Sequence, residues 1–426
     1  MTEVGGFVAP GFEPVAELLG GGTQLQVRDR LRTLGLGEGG GAFAAFVDGE
    51  CVVDAWAGSC APGAPWSEGT RAVVMSATKG LTSLCAHVLA DRQQLDVDAP
   101  VTAYWPEFGA AGKHAVTVRQ LLSHQAGAIG VPGAERLLAW DGSGWDDTPA
   151  IAAAVASAPP AWEPGTRHGY HGLTFGWLAG ELVRRVSGSS LGAFFRAEVA
   201  GPLGAECDIG TAAADLPRVA TVMEWGASGR ARQRPPADPT SLAGRSVLSG
   251  PGGDLFVDEH GWPRFARFIS TPAVLQAEVG AINATATARG LARVYDGILN
   301  GRLVSAESVQ RFRAEQVCGR DAVMGVATRW AVGYSREPPA AVAGLPRQHG
   351  PNDGAFGHMG AGGQVAFADP EGGIACAFVR NHLEHQAAPL MGAVLVDALY
   401  RCCGGRAAAP EARGAATGRG HSGNVG

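Results

Sequence analysis

The sequence predicts a mixed α/β protein whose antiparallel sheet is built from both ends of the chain, with a helical insertion between them. Two strand pairs carry this prediction. Near the N-terminus, Ala42–Val47 and Cys51–Trp56 flank an Asp-Gly turn, and near the C-terminus Gln364–Ala368 and Ile374–Val379 flank a second glycine-containing turn. The segments between the two pairs have mainly helical patterns. One layered α/β unit interrupted by helices is the simplest arrangement of that order.

The helices are predicted from apolar stripes at helical spacing and from the turn residues that bound them. One face of the first predicted helix carries Leu81, Leu84, Cys85, Val88 and Leu89. The predicted helices are Ser76–Asp91, Thr117–Ser123, Gly172–Val186, Thr287–Leu299 and Pro389–Tyr400. Residues 404–426 are rich in Gly, Ala and Arg, which predicts a disordered tail.

Composition indicates a globular enzyme. The chain has 426 residues, of which 46% are hydrophobic and 17% charged, and its formal net charge is -6. This length is enough to bury a large core, and the negative charge offers no electrostatic basis for binding nucleic acid. The N-terminal segment lacks the basic-then-apolar pattern of a signal peptide, and no apolar run reaches the ~20 residues of a membrane helix. We therefore expect a soluble, cytoplasmic protein with neither a membrane nor a nucleic-acid partner.

The eight cysteines match neither a zinc site nor a disulfide framework in their spacing, so scattered reduced thiols are expected. They are Cys51, Cys60, Cys85, Cys207, Cys318, Cys376, Cys402 and Cys403. No metal or other cofactor is predicted.

Lysine is almost absent from the sequence. Arginine and lysine total 34, yet the lysines are Lys79 and Lys113 alone. Because arginine stays protonated, a lysine retained in such a chain is a candidate for a function that requires losing the proton. Lys113 lies in a turn-like segment with no evident function of this kind, so the argument is suggestive for Lys79 and no more.

An S-x-x-K motif, Ser76 to Lys79, stands where the first predicted helix begins. One helical turn places the two side chains on the same face. The free N–H groups and dipole of a helix start favour an anion, which suits an oxyanion beside Ser76. A neighbouring amine accepts the serine proton if burial lowers its pKa from about 10.4. The alternative is a serine helix cap with an exposed lysine.

Two further segments have features of a catalytic site. Tyr170 follows a Pro-Gly turn and precedes a helix, a position from which a phenol can carry a proton between nucleophile and leaving group. The glycine-rich run Gly357–Gly363 leads into a strand, and its small residues leave room for a ligand to approach an edge. Each segment alone also fits an ordinary structural role: a buried tyrosine and a glycine turn.

Together, the three segments resemble the penicillin-recognising serine enzymes, which include class C β-lactamases, D-Ala-D-Ala peptidases, family VIII carboxylesterases and acyltransferases that decorate polyketides. The segments that follow the predicted nucleophile helix, at 95–101 and 118–127, also look like that family's, and the resemblance extends from about Gly41 to Tyr400. The resemblance implies a β-lactamase-like fold: an antiparallel sheet flanked by helices, plus an all-α domain. We place the sheet domain at 1–95 and 285–403 and the helical domain at 96–284.

The resemblance also implies roles for individual residues. Ser76 would be the acylated nucleophile, Lys79 its base and Tyr170 the second proton carrier. The backbone N–H groups of Ser76 and Ala361 would form the oxyanion hole.

Two departures from the β-lactamase pattern narrow the expected chemistry. Gly172 stands where β-lactamases have an asparagine that binds the substrate's amide side chain, and His358-Met359-Gly360 stands where they have K-T-G. The predicted substrate-binding positions are therefore Gly172, His358, Met359 and Gly360, in a smaller and more apolar site. This favours esters or thioesters over β-lactams. Whether His358 instead lines the acyl or the leaving-group pocket stays open.

Other motifs are interpreted as structural. Ser190 lies in a G-x-S-x-G match, but a predicted helix precedes it where a nucleophile elbow needs a strand, so a helix cap is expected. His124, at the end of a predicted helix, is also expected to be structural.

Two groups of side chains resemble metal ligands: His168 with His171, and His382 with Glu384 and His385. Neither group has a third ligand at suitable spacing, so both are interpreted as polar loop residues.

The leading functional hypothesis is a serine hydrolase that cleaves a carboxylic ester through a Ser76 acyl-enzyme. The alternative is an acyltransferase that passes the acyl group of an ester or thioester to an alcohol or amine. A third hypothesis is a catalytically idle binding protein with the same fold.

Overall fold

The structure is a computed structural model that describes residues 2–27, 30–34, 36, 39–223, 233–338, 347–383 and 390–404. The predicted tail lies outside these residues beyond position 404, as do Glu384 and His385 of the second metal-like group.

The strands form one large antiparallel sheet and several small ones. In chain order they are β1 (Val4–Val8), β2 (Thr23–Val27), β3 (Arg30–Leu34), β4 (Gly40–Val47), β5 (Glu50–Ala61), β6 (Ala64–Pro65), β7 (Ala72–Val73), β8 (Cys207–Asp208), β9 (Thr285–Ala286), β10 (Val317–Arg320), β11 (Ala327–Trp330), β12 (Phe356–Gly360), β13 (Gln364–Asp369) and β14 (Ile374–Arg380). Among the described residues the large sheet has seven strands, in the order β1-β5-β4-β14-β13-β12 with β6 paired to β5.

The helices lie mainly between β7 and β10, with one near each end of the chain. In chain order the α-helices are α1 (Glu13–Gly21), α2 (Thr78–Asp91), α3 (Val118–Leu122), α4 (Ala134–Leu137), α5 (Thr148–Ser157), α6 (Thr174–Ser187), α7 (Leu191–Phe195), α8 (Gly201–Leu203), α9 (Leu242–Ser246), α10 (Phe265–Ile269), α11 (Pro272–Gln276), α12 (Ala288–Leu299), α13 (Ala306–Arg313) and α14 (Leu390–Cys402). Short 3-10 turns occupy Met75–Ala77, Val101–Ala103, Pro106–Gly112 and Ala213–Arg218, and a π-helical turn occupies Arg196–Ala200.

The N-terminal hairpin forms because its turn chemistry matches its strands. Val47 pairs with Glu50, so the loop has two residues, Asp48 and Gly49, with φ of 50° and 85°. Positive φ at both positions gives the turn a backbone twist that matches the twist of the flanking strands, and Asp-Gly is a favoured sequence for such a turn. The predicted hairpin is confirmed.

The centre of the sheet joins the two ends of the chain. β14 pairs antiparallel with β4, so that Phe378 lies opposite Phe43 and Arg380 opposite Gly41. The predicted antiparallel sheet built from both ends is therefore confirmed. β12 ends the order at the opposite side from β1, and most of its backbone pairs only with β13.

Helices cover both faces of the sheet, which explains why its central strands are mostly apolar. Along β4, Ala42 and Ala44 belong to one buried cluster and Phe43 and Ala45 to another, following the two-residue alternation of a strand. The first cluster includes α2, α6 and α12, and the second includes α1 and α14. Because the first cluster runs through both predicted domains, the boundaries at 95 and 285 stay a prediction.

Candidate active site

Ser76 lies in the 3-10 turn that leads directly into α2. The preceding residue, Met75, has a φ of 51°, which is disfavoured for a residue with a side chain and occurs most often at functional sites. The turn is held in place by Thr78, whose hydroxyl donates to the Met75 carbonyl at 2.6 Å and accepts from the amide of Ala284 at 3.1 Å. The backbone therefore presents Ser76, which is partly exposed, in a fixed direction.

Lys79 is fully buried, one turn along α2 from Ser76. Its Nζ lies 3.4 Å from the Ser76 Oγ and 3.0 Å from the carbonyl oxygen of Ala281. Among the described residues no carboxylate pairs with it, and burial holds its pKa well below the usual range. Burial therefore favours a neutral amine, and the lone pair of that amine can accept the serine proton.

Tyr170 completes a cluster around the serine hydroxyl. Its own hydroxyl interacts with the Ser76 side chain, and its ring lies 4.7 Å from the Lys79 Nζ. The ring stacks on Trp330 at 5.6 Å with an angle of 13° between the planes, and the Tyr170 amide donates to Asp321 at 3.1 Å. Burial raises the pKa of the phenol, so Tyr170 rests as a protonated hydrogen-bond donor.

A buried histidine pair supports Tyr170 from behind. The ring of His124 lies 5.0 Å from that of Tyr170, and its Nδ1 accepts from the amide of His171 at 3.2 Å. Burial holds the pKa of His124 well below its usual value, with smaller contributions from His171 and Lys79. His124 is therefore a neutral packing residue against Tyr170, in line with the structural role expected of it.

The edge strand β12 packs against the nucleophile turn. A Cβ at Gly360 would lie 2.5 Å from the Val74 carbonyl oxygen, so only glycine allows this approach. The amide of Gly357 points away from β13 and donates to Ser335 at 3.1 Å. The amide of Ala361 belongs to the first residue after β12, in the turn toward β13. Among the described residues, neither that amide nor the Ser76 amide donates a hydrogen bond to the chain, so both N–H groups are available to a ligand.

His358 lies on the face of β12 that is turned toward the site. Its Nδ1 is 2.7 Å from the Met359 carbonyl oxygen, which only accepts, so Nδ1 carries the proton and Nε2 is left as an acceptor. Within the described part of the chain Nε2 has no partner. Burial and the neighbouring Lys79 lower the pKa of His358 to about 3. The position that resembles the K-T-G lysine is thus neutral, and the adjacent Met359 is partly exposed.

Ser246, at the end of α9, occupies the space beside the Cα of Gly172. The Gly172 amide donates to the Ser246 Oγ at 3.3 Å, and a Cβ on Gly172 would lie 2.7 Å from that oxygen. The Ser246 hydroxyl in turn lies 3.4 Å from the Tyr170 carbonyl oxygen. The space next to Gly172 is therefore taken by Ser246, and a longer side chain there would have to displace it.

The structural interpretations of the remaining motifs agree with the structure. Ser190 caps α7 by accepting from the Ala193 amide at 3.3 Å, as expected. His168 bonds to Thr328, and His171 uses Nδ1 on the Gly169 carbonyl and Nε2 on the Ala128 amide.

Lys113, which had no evident function in the sequence, is buried in the structure. Its ammonium donates to the carbonyls of Ala110 and Ala158. Both lysines of the chain therefore lie inside the protein.

Four residues around the cluster had no prediction from sequence: Met75, Ala281, Asp321 and Trp330. Asp321 fixes the loop behind Tyr170 by accepting from the amides of Tyr170, Val323 and Met324. Each of these residues acts through a contact between segments distant in sequence or through a backbone angle. No local motif marks such features.

Comparison with known proteins places the chain in a family. Residues 28–399 match the β-lactamase family. The chain is 37% identical over 365 residues to the esterase/β-lactamase LipL of Mycobacterium tuberculosis, covering 81% of this chain and 77% of LipL. A family VIII carboxylesterase structure is 33% identical with a TM-score of 0.76, and a penicillin-binding protein homologue from Caulobacter crescentus is 31% identical with a TM-score of 0.74. Each match covers 94% of this chain and 100% of the known structure.

Proposed function

The chain belongs to the β-lactamase family and has its fold, with esterases among its relatives; from that premise we propose that it is a serine hydrolase that cleaves a carboxylic ester through an acyl-enzyme on Ser76. The observation that carries the proposal is the cluster of Ser76, Lys79 and Tyr170, in which a buried amine and a phenol both reach one hydroxyl.

In the acylation step the neutral Lys79 amine accepts the Ser76 proton while the serine Oγ attacks the ester carbonyl. The carbonyl oxygen becomes an oxyanion, which the amides of Ser76 and Ala361 stabilise by hydrogen bonds. Collapse of this intermediate breaks the bond to the alkoxide oxygen. Tyr170 delivers a proton to that oxygen and is reprotonated from the Lys79 ammonium, so the alcohol leaves neutral.

In the deacylation step water takes the place of the alcohol. The same amine and phenol remove its proton as it attacks the acyl carbonyl, and the Ser76 oxygen leaves with a proton returned to it. Transfer of the acyl group to an alcohol or amine would differ only in this second nucleophile. Hydrolysis is the first choice because no described feature marks an acceptor site.

The neutral surroundings favour esters over β-lactams. His358 carries no charge where a lysine would hold a β-lactam carboxylate, and Gly172 with Ser246 leaves no amide-binding side chain. We propose that Met359, Gly360 and His358 line the substrate cleft, with Met359 partly exposed and the His358 ring buried. A catalytically idle binding protein would have no need to keep a buried, unpaired lysine beside a serine.

The test is product analysis with aryl esters of short acids, with and without millimolar alcohols or amines. Wild-type protein should release the free acid, and Ser76→Ala should release none above background. If an acceptor captures most of the acyl group and raises total turnover, the chain is an acyltransferase instead. If Ser76→Ala retains wild-type turnover, the proposal fails.

A further inference from the structure

A cavity of about 260 Å³ lies between two segments that are distant in sequence, 129–140 and 239–253. Val131, Leu138, Trp140 and Leu248 give it apolar walls. Arg245 and Glu135 also line it. The cavity therefore combines apolar walls with charged residues.

Arg245 has no anionic partner in the described part of the chain. Its guanidinium donates to the carbonyl oxygen of Ile129 at 3.2 Å, and no described carboxylate lies within 4 Å of it. Glu135, the carboxylate that also lines the cavity, is exposed and lies 3.9 Å from Arg136. Arginine has five N–H donors in a planar fork that matches a carboxylate. Several of these donors remain for a ligand.

The backbone around Arg245 is shaped to hold it there. Gly130 has a φ of 77°, and a Cβ at that residue would lie 3.3 Å from the Arg245 Cβ, so a larger residue would press on the arginine. Leu248 has a φ of 56°, which is strained for a leucine. The arginine is therefore placed by a constrained loop.

Both walls of the cavity are continuous in sequence with residues that contact the proposed active site. Arg245 directly precedes Ser246, which contacts the amide of Gly172 and the carbonyl of Tyr170. Ile129 directly follows Ala128, whose amide donates to His171 at 3.1 Å. Both walls thus connect by one residue to the segment that carries Tyr170.

We propose that the cavity binds the far end of the substrate's acyl chain and that Arg245 pairs there with a carboxylate. The preferred substrates would be esters whose acyl part is a methylene chain that ends in a negative charge. The apolar walls would take the chain, and the guanidinium would take both carboxylate oxygens. This inference rests on the proposed esterase function and adds the substrate class.

The test compares aryl half-esters of adipic and suberic acid with the same compounds capped as methyl esters. Wild-type protein should have a kcat/KM for the half-esters about 10- to 100-fold higher, the range for a hydrogen-bonded charge. Arg245→Gln should lose that preference, measured as the ratio of the two kcat/KM values within the one variant. Arg136→Gln, at the exposed neighbouring arginine, is the matched control and should keep the preference.

Equal kcat/KM for half-ester and capped ester in wild-type protein would overturn the inference, as would a preference that survives in Arg245→Gln. If wild-type protein hydrolyses no ester, the proposed function fails. Calorimetry with adipate then tests whether the cavity binds a dicarboxylate independently of catalysis. Adipate binding that is present in Ser76→Ala and lost when Arg245→Gln is added supports the cavity site. Absence of adipate binding in both variants contradicts it.

Discussion

Replacing Lys79 by arginine or methionine separates two properties of this side chain, its charge and its ability to lose a proton. Arginine keeps a cation that does not deprotonate, and methionine keeps the volume without a base. Because the proposed base is lost in both, each variant should reduce kcat/KM by about 10² to 10⁴, which corresponds to about 3 to 5 kcal/mol of barrier.

The two variants should differ in stability, and the structure gives the sign. Lys79 is fully buried with no described carboxylate, so its folded pKa lies well below that of the unfolded chain. At pH 7 the unfolded state binds the Lys79 proton more readily than the folded state does, so this residue lowers the free energy of unfolding. The effect shrinks as the pH rises toward about 10.4, the pKa of the unfolded chain's lysine. Lys79→Met removes this loss and should unfold at a higher temperature than wild type at pH 7, with the difference narrowing at higher pH. Lys79→Arg buries a permanent unpaired charge and should unfold at a lower temperature.

The assay is aryl ester hydrolysis combined with thermal unfolding from pH 7 to pH 9.5. A Lys79→Arg variant that folds and keeps more than about a tenth of wild-type turnover would refute the general-base role, because positioning or charge alone would then suffice. A Lys79→Met variant that unfolds at a lower temperature than wild type at every pH would refute the reasoning about burial.

Three further predictions follow from the site. Tyr170→Phe keeps the stack on Trp330 but loses the hydroxyl at Ser76, so kcat should fall by about 10²- to 10⁴-fold; near-normal kcat in ester hydrolysis would leave Tyr170 a packing role only. Short-chain aryl esters should be hydrolysed much faster than a chromogenic cephalosporin, because His358 is neutral; comparable kcat/KM values would argue against this. Burial lowers the folded pKa of His171 to about 4 and that of His358 to about 3. As the pH falls below about 6.5, these histidines are protonated in the unfolded chain but not in the folded protein, which lowers the free energy of unfolding. The melting temperature should therefore drop between pH 6.5 and 4, less steeply in His358→Gln, whereas a flat profile would contradict the burial of these rings.

The features that could be predicted from sequence are those with local chemistry. The Asp-Gly turn at 48–49 sets its hairpin through backbone preference alone, and the S-x-x-K spacing puts Ser76 and Lys79 on one face of a helix start. The serine, the tyrosine and the edge-strand glycines, in that order along the chain, carried the family resemblance, and that resemblance predicted the fold.

The features that sequence reasoning missed depend on long-range contacts. Trp330 lies 160 positions from the tyrosine on which it stacks, and the carbonyl of Ala281 reaches Lys79 from a distant loop. No periodicity or motif encodes such pairs. Lys113 had no evident role because its sequence context is a turn, whereas the structure buries its ammonium against two carbonyls. The cavity at Arg245 likewise forms between segments that are distant in sequence, 129–140 and 239–253.

No helix in the described parts of the chain has both the length and the apolar content to cross a membrane. Every side chain used in the proposed mechanism belongs to the described residues, so the role of each can be tested by substitution.

The central claim is that Ser76 carries the acyl group, and intact-mass analysis with a slowly hydrolysed activated ester tests it most directly. Wild-type protein should gain one acyl mass, and digestion should place that mass on the peptide that contains Ser76. Ser76→Ala should gain none, while Ser190→Ala, a serine in a helix cap, should label like wild type. Labelling that persists in Ser76→Ala, or that maps to Ser190, would contradict the account.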